Sequence, residues 1–304
     1  MADATHVRDT QDVDSDESYC PYQCSSVCRP VPRPSVILLG GRSLAAQRRG
    51  RFVAGSGAHP ARLGPDLAAH LIADYTAPGD WVFDPLAGTG TTLVEAVRSG
   101  RHAVGMEYEP GWVALARANL ALARSHGASG HGRLLRADAT GLPHGVPGWV
   151  RGQIALILTT PPYGTIMNTG APHRAGSRHG VEQTPSSGKH VRRGRLRLLD
   201  AITAVLTGCL PLLRPGGVVA VVSRPRRRDG RLIEPSSQIV TAGQHAGLTL
   251  VDCRRAVHTT RDRCRVPRQS GSATDVGGGR RMETSLIQHD DIAVFQDLHS
   301  GDPR

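Results

Sequence analysis

Apolar and polar positions follow helical and strand-like periods in turn along residues 65–296, and this pattern predicts a chain of alternating helices and strands. The segment PDLAAHLIADY, residues 65–75, has apolar residues at helical spacing and begins with Pro, which is typical of a first helical turn. Short β-rich runs such as WVFDPLA and IALILTT are separated by helical runs such as TTLVEAVRSG. Strands that alternate with helices of about 10–15 residues form βαβ units. The sequence therefore predicts an α/β fold, with a mostly parallel sheet of about seven strands and helices on both faces.

The N-terminal segment lacks this periodicity. Residues 1–55 begin with an acidic stretch and contain the Pro-rich RPVPRP, so they are predicted to be disordered or loosely attached. Residues 56–300 are predicted to form one folded domain. A polar, Gly-rich and basic stretch at 164–194 interrupts it and is predicted to be a surface loop.

Several classes of protein are excluded by simple features of the chain. No stretch approaches the roughly 18 uninterrupted apolar residues of a membrane span. The N-terminus has no apolar core of a secretory signal, so a cytoplasmic location without membrane contact is the expectation. Cys20, Cys24 and Cys28 have spacings that match neither zinc ribbons nor the usual iron–sulfur runs, and no metal is expected. The oligomeric state is left open.

The formal net charge of +11 points to nucleic acid or another anionic partner. Nearly all basic residues are Arg, a bias that a GC-rich genome also produces, so their placement carries more information than their number. They are concentrated in the second half of the chain. The candidates for contact with phosphates are Lys189, Arg192, Arg193, Arg224, Arg226 and Arg227. A solvated surface turn is the alternative for the group that begins at Arg224.

Ligands of such folds bind at the carboxyl ends of the strands, so the residues that follow each predicted strand are the informative ones. Gly88 and Gly90 follow the first predicted strand and allow a tight turn and close approach of a ligand. Leu93 stands where the dinucleotide fingerprint has its third Gly, which argues against a nicotinamide dehydrogenase. Glu107 ends the next strand, where an acidic side chain can bind the two ribose hydroxyls of a nucleoside.

Two further residues at strand ends have both a binding and a structural interpretation. Tyr108 can pack on an adenine face, or be a rim aromatic without a ligand. Asp138 can accept a hydrogen bond from an adenine amino group, or serve as an N-cap or turn residue.

The segment Thr159–Gly164, TTPPYG, follows an apolar strand and offers hydrogen-bond acceptors next to an aromatic ring. Pro161 and Pro162 cannot donate backbone hydrogen bonds. The Thr160 hydroxyl and the Pro161 carbonyl can accept the two hydrogens of an amino group on a ring, while Tyr163 stacks on that ring. Such an arrangement favours a pyramidal nitrogen aimed at an electrophile, which is what methylation of a poorly nucleophilic exocyclic amine requires.

Taken together, these motifs resemble the S-adenosylmethionine-dependent DNA amino methyltransferases that modify cytosine N4 or adenine N6. FDPLAGTGTTLVEA is similar to the cofactor loop DPFxGxGTT of that family, VGMEYEP to its ribose-binding strand end, and TTPPY to its SPPY, NPPY or DPPY motif. The resemblance covers about residues 58–225 and implies a Rossmann-like class I methyltransferase fold, with residues 56–300 as the catalytic domain.

The resemblance also implies roles for individual residues. The residues it implies for S-adenosylmethionine binding are His59, Pro60, Asp84, Pro85, Ala87, Gly88, Gly90, Thr91, Thr92, Glu107, Tyr108 and Asp138. The catalytic residues are then Thr160, Pro161, Pro162 and Tyr163. An SPPY-like motif is typical of cytosine N4 methylation, and the hydroxyl of Thr160 makes this motif most similar to that form. Adenine, methylated at N6, is the other candidate base. Thr160 is itself a departure, because the family has Ser, Asn or Asp there.

Two alternatives stay open at the level of sequence. A tRNA guanosine-N2 methyltransferase shares the strand order, the cofactor loop and the Pro-Pro-Tyr turn, although those enzymes usually carry an added RNA-binding domain at the N-terminus. A non-catalytic nucleic-acid-binding relative would keep the fold without needing the cofactor.

Overall fold

The computed structural model describes residues 33–60, 63–161, 188–228, 231–258 and 289–298; for residues 188–198, 226–228 and 231 it describes the backbone alone. Ten strands form within these ranges: β1 (Val36–Leu39), β2 (Trp81–Asp84), β3 (His102–Glu107), β4 (Gly132–Arg136), β5 (Ile154–Thr159), β6 (Leu213–Ser223), β7 (Arg226–Arg228), β8 (Arg231–Ile233), β9 (Thr249–His258) and β10 (His289–Gln296). The α-helices in the same ranges are α1 (Leu44–Arg48), α2 (Pro65–Tyr75), α3 (Thr91–Arg98), α4 (Pro110–Ser125), α5 (Gly188–Cys209) and α6 (Ser236–His245).

Eight of the strands form one sheet in the order β1-β9-β10-β6-β5-β2-β3-β4. Strand β10 runs antiparallel to both of its neighbours, and the other pairs are parallel. Strands β7 and β8 form a separate antiparallel hairpin. The predicted α/β, Rossmann-like architecture with a mostly parallel sheet is confirmed.

Helices cover both faces of the sheet, because each face carries its own apolar cluster. One cluster includes Leu71 of α2, Val94 of α3 and Val113 of α4, and the other includes Leu206 of α5 and Ile239 of α6. All six residues of β5 are buried, as expected for a central strand that is covered on both sides. No helix within the described ranges combines the length and apolar character needed to cross a membrane.

Part of the segment predicted to be loosely attached belongs to the sheet, which corrects the expectation for residues 1–55. Strand β1 pairs in parallel with β9, and its residues are alternately exposed and buried. Ile37 and Leu39 enter the apolar core, and Arg255 N–H donates to the Ser35 carbonyl at 2.8 Å. The sequence did not reveal this strand because four consecutive apolar residues show no alternation, and its partner lies more than two hundred residues away. Residues 1–32 lie outside the described residues.

Two further differences concern the second half of the chain. Helix α5 begins at Gly188, so the last seven residues of the stretch predicted as a loop at 164–194 are helical, while 164–187 lie outside the described residues. The hairpin β7–β8 was not predicted, because its strands are rich in Arg rather than in the β-branched residues that favour strands. Its only local signal is Asp229-Gly230, a dipeptide typical of two-residue hairpin turns.

The order of the strands in the sheet determines where the candidate functional residues lie. From β2 the chain proceeds outward through β3 and β4, and then returns to the other side of β2 with β5 and β6. The order therefore reverses between β2 and β5, and a crevice opens at the carboxyl ends of these strands. The turns that follow β2, β3 and β5 meet at this edge of the sheet.

Candidate functional site

The loop after β2 is a tight turn that depends on two glycines. Gly88 and Gly90 have φ angles of +53° and +79°, and Gly90 is the N-cap of α3. Such angles lie in the left-handed region that favours glycine. The Ala87 N–H donates to the Met106 carbonyl on β3 at 2.9 Å, and the Gly90 N–H donates to the Ala87 carbonyl at 2.7 Å. The loop is thereby held against the neighbouring strand before any ligand binds.

Glu107, at the end of β3, reaches across to this loop. Its Oε2 accepts a hydrogen bond from the Gly88 N–H at 2.9 Å, and its Oε1 accepts one from the Glu109 N–H at 2.8 Å. Burial raises the pKa of the Glu107 carboxyl, and the backbone donors of Glu109 and Gly88 act in the opposite direction. Each carboxylate oxygen has two lone pairs, so both oxygens keep capacity to accept hydroxyl groups of a ligand.

Asp84, the last residue of β2, is buried beneath the loop. Its Oδ1 accepts from the Leu86 N–H at 3.0 Å and its Oδ2 from the Thr92 hydroxyl at 2.7 Å. Burial raises the pKa of the carboxyl to about 6, against the lowering effect of these hydrogen bonds. Asp84 thus joins the start of the loop to the first turn of α3. Pro85, between Asp84 and Leu86, lies in the same turn.

A cleft opens between the loop after β2 and the end of β5. Its lining residues are Leu63, Asp84, Leu86, Ala87, Thr89, Thr91, Thr92 and Thr160. The Oγ1 atom of Thr160 is buried and has no hydrogen-bond partner within the part of the chain that the structure describes. Because a buried hydroxyl without a partner is costly, this atom is suited to receive a donor from a ligand. Pro161 is buried beside it, and Pro162 and Tyr163 lie outside the described residues.

His59 packs on the glycine loop. Its ring meets Trp112 of α4 edge to face, with centroids 4.8 Å apart. A Cβ added at Gly88 would lie 3.0 Å from Cε1 of His59, so a side chain at this position would press on the ring. Pro60 follows and is exposed. The structure therefore places His59 in contact distance of the loop.

The two residues with competing interpretations differ in their surroundings. Tyr108 is 56% exposed at the rim of the crevice, with its ring open to solvent. Asp138 is the N-cap of the 3-10 turn Ala139–Gly141, and its Oδ1 accepts from the N–H and the hydroxyl of Thr140 at 2.9 and 2.8 Å. Asp138 therefore serves as an N-cap, which is the structural one of its two interpretations. An adenine amino group could bind only to the lone pairs of Asp138 that these hydrogen bonds leave free.

Two buried polar residues that the sequence analysis missed connect the loop to the segment before α2. Asn119 of α4 accepts from the Val53 N–H and donates to the Thr89 carbonyl, both at 2.8 Å. Arg48 of α1 donates from Nη2 to the Thr91 hydroxyl at 2.8 Å and to the Leu63 carbonyl at 3.1 Å. Asn119 could have been found, because it shares the helical spacing of the buried residues of α4. Nothing in the local sequence identifies Arg48.

The basic candidates for phosphate contact fall into two groups. Lys189, Arg192 and Arg193 lie near the start of α5, and Arg226 and Arg227 lie in β7, where the backbone alone is described. Arg224 departs from the expectation of a free cation. Its Nε and Nη2 donate to Oδ1 and Oδ2 of Asp290 at 2.6 and 2.8 Å, which neutralises the charge and occupies the bidentate edge. Arg224 is therefore not free to clamp a phosphate by that edge.

The described ranges contain no candidate metal centre. No cluster of three or more His, Cys, Asp or Glu side chains there is arranged to hold a metal ion.

The segment that contains the glycine loop, Asp84 and Glu107 is similar to a known protein family. Residues 41–118 match the sequence model of the DNA methylase family. This segment of the chain is similar to that family. The matched segment runs from before α1 into α4 and so includes Arg48, the glycine loop and Glu107. S-adenosylmethionine is the cofactor of the family.

Individual relatives align with this chain over short stretches. The chain is 48% identical over 44 residues to the type II methyltransferase M.MthZI of Methanothermobacter thermautotrophicus, and 37% identical over 65 residues to M2.DpnII of Streptococcus pneumoniae. These stretches cover 14% and 21% of this chain, and 12% and 24% of the relatives. Among solved structures, TrmN of Thermus thermophilus superposes on 83% of this chain and 53% of its own, with 23% identity and a TM-score of 0.48.

Proposed function

We propose that the protein transfers a methyl group from S-adenosylmethionine to the exocyclic amino group of a DNA base, with cytosine N4 as the first candidate and adenine N6 as the second. The observation that carries the proposal is the position of Thr160. Its unpartnered hydroxyl lines the same cleft as Asp84 and the glycine loop, so an acceptor for an amino group lies next to the family's cofactor loop.

The residues present fit the cofactor. Gly88 leaves a bare backbone surface under His59, and Glu107 keeps acceptor capacity for the two hydroxyls of a ribose. Asp84, Ala87, Thr91 and Thr92 line the cleft in which the methionine end would be held, as the family resemblance implies. When bound, S-adenosylmethionine supplies an electrophilic methyl group on a sulfonium.

The chain's own residues would orient the nucleophile. The Thr160 hydroxyl and the Pro161 carbonyl accept the two amino hydrogens and hold the nitrogen lone pair toward the methyl group. Tyr163, in the predicted role, stacks on the base. With the cofactor bound, this nitrogen would receive the methyl group that the cofactor supplies, and the carbon–sulfur bond would be the one that breaks. The extra proton leaves to solvent afterwards, because the Thr160 hydroxyl is too weak a base to take it.

The base preference and the choice of nucleic acid are part of the proposal. A hydroxyl at position 160 corresponds to the SPPY-like form of the motif, which supports cytosine N4. DNA rather than RNA is supported by the family match at residues 41–118 and by the two type II methyltransferases, although the chain spans less than a quarter of the length of each.

Incubation with methyl-labelled S-adenosylmethionine tests the proposal. Genomic DNA and total tRNA are offered in parallel reactions, and the label in each polymer is counted. Label in DNA alone supports the proposal, and label in tRNA alone replaces it with an RNA methyltransferase. A protein that binds no cofactor in an equilibrium titration would be a non-catalytic relative.

A further inference from the structure

The hairpin β7–β8 lies between β6 and α6, and the residues that flank it on either side are close together. The last residue of β6, Ser223, and the first residue of α6, Ser236, have their hydroxyl oxygens 3.3 Å apart. The Ser236 hydroxyl also donates to Asp291 of β10 at 2.9 Å. The two residues that flank segment 224–235 are therefore in hydrogen-bond contact with each other, and we call this contact the base of the hairpin.

The entry to the hairpin is fixed as firmly as its exit. Arg224 makes a bidentate ion pair with Asp290, whose side chain is 4% exposed and also bonds to Nε2 of His258 at 2.8 Å. Asp290 and Asp291, adjacent on β10, thus hold the entry and the exit respectively. Pro225 and Pro235 are both buried at the base. A hairpin held in this way is oriented in advance of binding, which lowers the entropy lost when it engages a partner.

The pairing register sorts the hairpin residues onto two faces. Arg226 pairs with Ile233, Arg227 with Leu232, and Arg228 with Arg231. Directly paired residues share a face and neighbours alternate, so positions 227 and 232 share one face and the other four positions share the opposite one. Leu232 is 48% exposed, an apolar side chain in a hairpin with four arginine positions.

The hairpin stands beside the cleft. Thr159 of β5 pairs with Val221 of β6, so Pro161 is level with Ser223 when the register is continued. The hairpin begins three residues further on, at most about 10 Å along the same edge. The hairpin therefore begins close to the strand end that carries Thr160.

We propose that Leu232 enters a DNA duplex as an apolar wedge that helps to unstack the base to be methylated, while the arginine positions of the hairpin contact the flanking phosphates. The inference rests on the proposed function, because a base inside a duplex must be extruded before its amino group reaches Thr160. Apolar side chains such as Leu are inserted between base steps by other DNA-binding proteins, and arginines supply the sequence-independent attraction to phosphates.

The test compares native duplex DNA with the same DNA after heat denaturation, since a wedge matters only where bases are stacked and paired. Methyl transfer to both forms is measured for the wild type, for Leu232→Ala and for Leu298→Ala. Leu298, 58% exposed after β10, is the matched control for loss of a surface leucine. We expect Leu232→Ala to lower the rate on native DNA about tenfold more than the rate on denatured DNA, and Leu298→Ala to leave the ratio of the two rates unchanged.

Other outcomes separate the inference from the proposed function. Equal losses on both forms, or no loss on either, would overturn the wedge while leaving DNA methylation intact. A wild type that labels neither form would overturn the proposed function, and the wedge with it.

The arginine positions provide an independent readout through Arg227→Gln and Arg228→Gln. Removal of one arginine–phosphate interaction should make the plot of log binding constant against log salt concentration less steep by about 0.9. An unchanged slope in both variants would remove the hairpin from the DNA interface.

Discussion

Glu107 and Gly88 are joined by a hydrogen bond of 2.9 Å from the backbone N–H of the glycine loop to the carboxylate at the end of β3. This bond connects two neighbouring strand ends, and the second carboxylate oxygen is held by the Glu109 N–H. Glu107 is therefore oriented in the absence of a ligand. Its carboxylate oxygens keep lone pairs that can accept the hydroxyl groups of a ribose.

Glu107→Gln is expected to weaken S-adenosylmethionine binding at least about tenfold. The carboxylate of Glu107 has two acceptor oxygens, which face backbone N–H groups and would face the ribose hydroxyls. In the glutamine variant, one of these oxygens is replaced by an NH2 group, which donates instead of accepting. Calorimetric titration with the cofactor measures this directly. Glu109→Gln is the matched control, since Glu109 contributes its backbone N–H to Glu107, and the affinity of this variant should stay within about twofold of the wild type. Equal affinities for the wild type and Glu107→Gln would remove Glu107 from the cofactor site.

Gly88→Ala tests whether the loop needs close packing under His59 as well as a left-handed backbone. The added Cβ would lie 3.0 Å from the His59 ring, whereas a Cβ at Gly79, where φ is +85°, would have no atom within 4 Å. Both variants should lose about 1–2 kcal/mol of unfolding free energy from the positive φ. Only Gly88→Ala should also lose cofactor affinity. Similar cofactor affinities in the two variants would show that the His59 contact is irrelevant to binding.

Thr160→Val removes the unpartnered hydroxyl while nearly preserving side-chain shape. The lost hydrogen bond to the reacting amino group should lower kcat about tenfold to a hundredfold, with cofactor affinity little changed. Removal of a buried hydroxyl without a partner should keep or raise the unfolding free energy. Thr160→Ser should recover most of the rate. Single-turnover methyl transfer separates the two variants, and a Val variant as fast as the wild type would show that the hydroxyl takes no part.

The buried Asp84 carboxyl gives stability a pH dependence. Its pKa is raised from 3.8 to about 6 in the folded state, so the folded protein holds this proton more tightly than the unfolded chain does. The contribution of Asp84 to stability is therefore most favourable below about pH 3.8. This contribution falls as the pH rises from about 3.8 to about 6. Above about pH 6, the buried ionised carboxylate lowers the free energy of unfolding by about 3 kcal/mol.

Asp84→Asn removes this titration and can keep hydrogen bonds to Leu86 and Thr92. The substitution should therefore raise the unfolding free energy more at pH 7 than at pH 4.5, as measured by urea denaturation. The comparison with the wild type at each pH cancels the titration of other groups. A gain of the same size at both pH values would contradict a raised pKa for Asp84.

Asn119→Ala should cost about 3 kcal/mol of unfolding free energy, because the Val53 N–H and the Thr89 carbonyl would lose their partner in a buried position. Arg117→Ala, at an exposed position of the same helix, should change stability by less than about 0.5 kcal/mol. Urea denaturation of both variants provides the measurement. If both variants have wild-type stability, Asn119 does not hold the loop in solution.

The central part of the fold follows from local sequence signals. Helix α2 was predicted at its observed limits, residues 65–75, because Pro65 marks its first turn and its apolar spacing is regular. Gly88 and Glu107 could be placed near each other because neighbouring parallel strands end at the same edge of a sheet. Their assignment to cofactor binding remains a prediction.

The features that escaped prediction depend on distant partners. Strand β1 is held by β9, and Arg48 is buried because Thr91 and Leu63 lie around it, which no local pattern reveals. Arg224 looked like a free cation because Asp290, its partner, lies 66 residues away. Asp138 could be assigned as an N-cap only once the turn that follows β4 was seen.

The most direct test of the central claim is the identity of the nucleoside that carries the methyl group. Genomic DNA labelled by the protein with S-adenosylmethionine is digested to nucleosides and analysed by mass spectrometry, with Thr160→Val as the paired control. The expected product is N4-methyldeoxycytidine, or N6-methyldeoxyadenosine if the second candidate base is the target, in amounts reduced by the substitution. A methyl group on a ring carbon of a base, or on RNA alone, would contradict amino methylation of DNA.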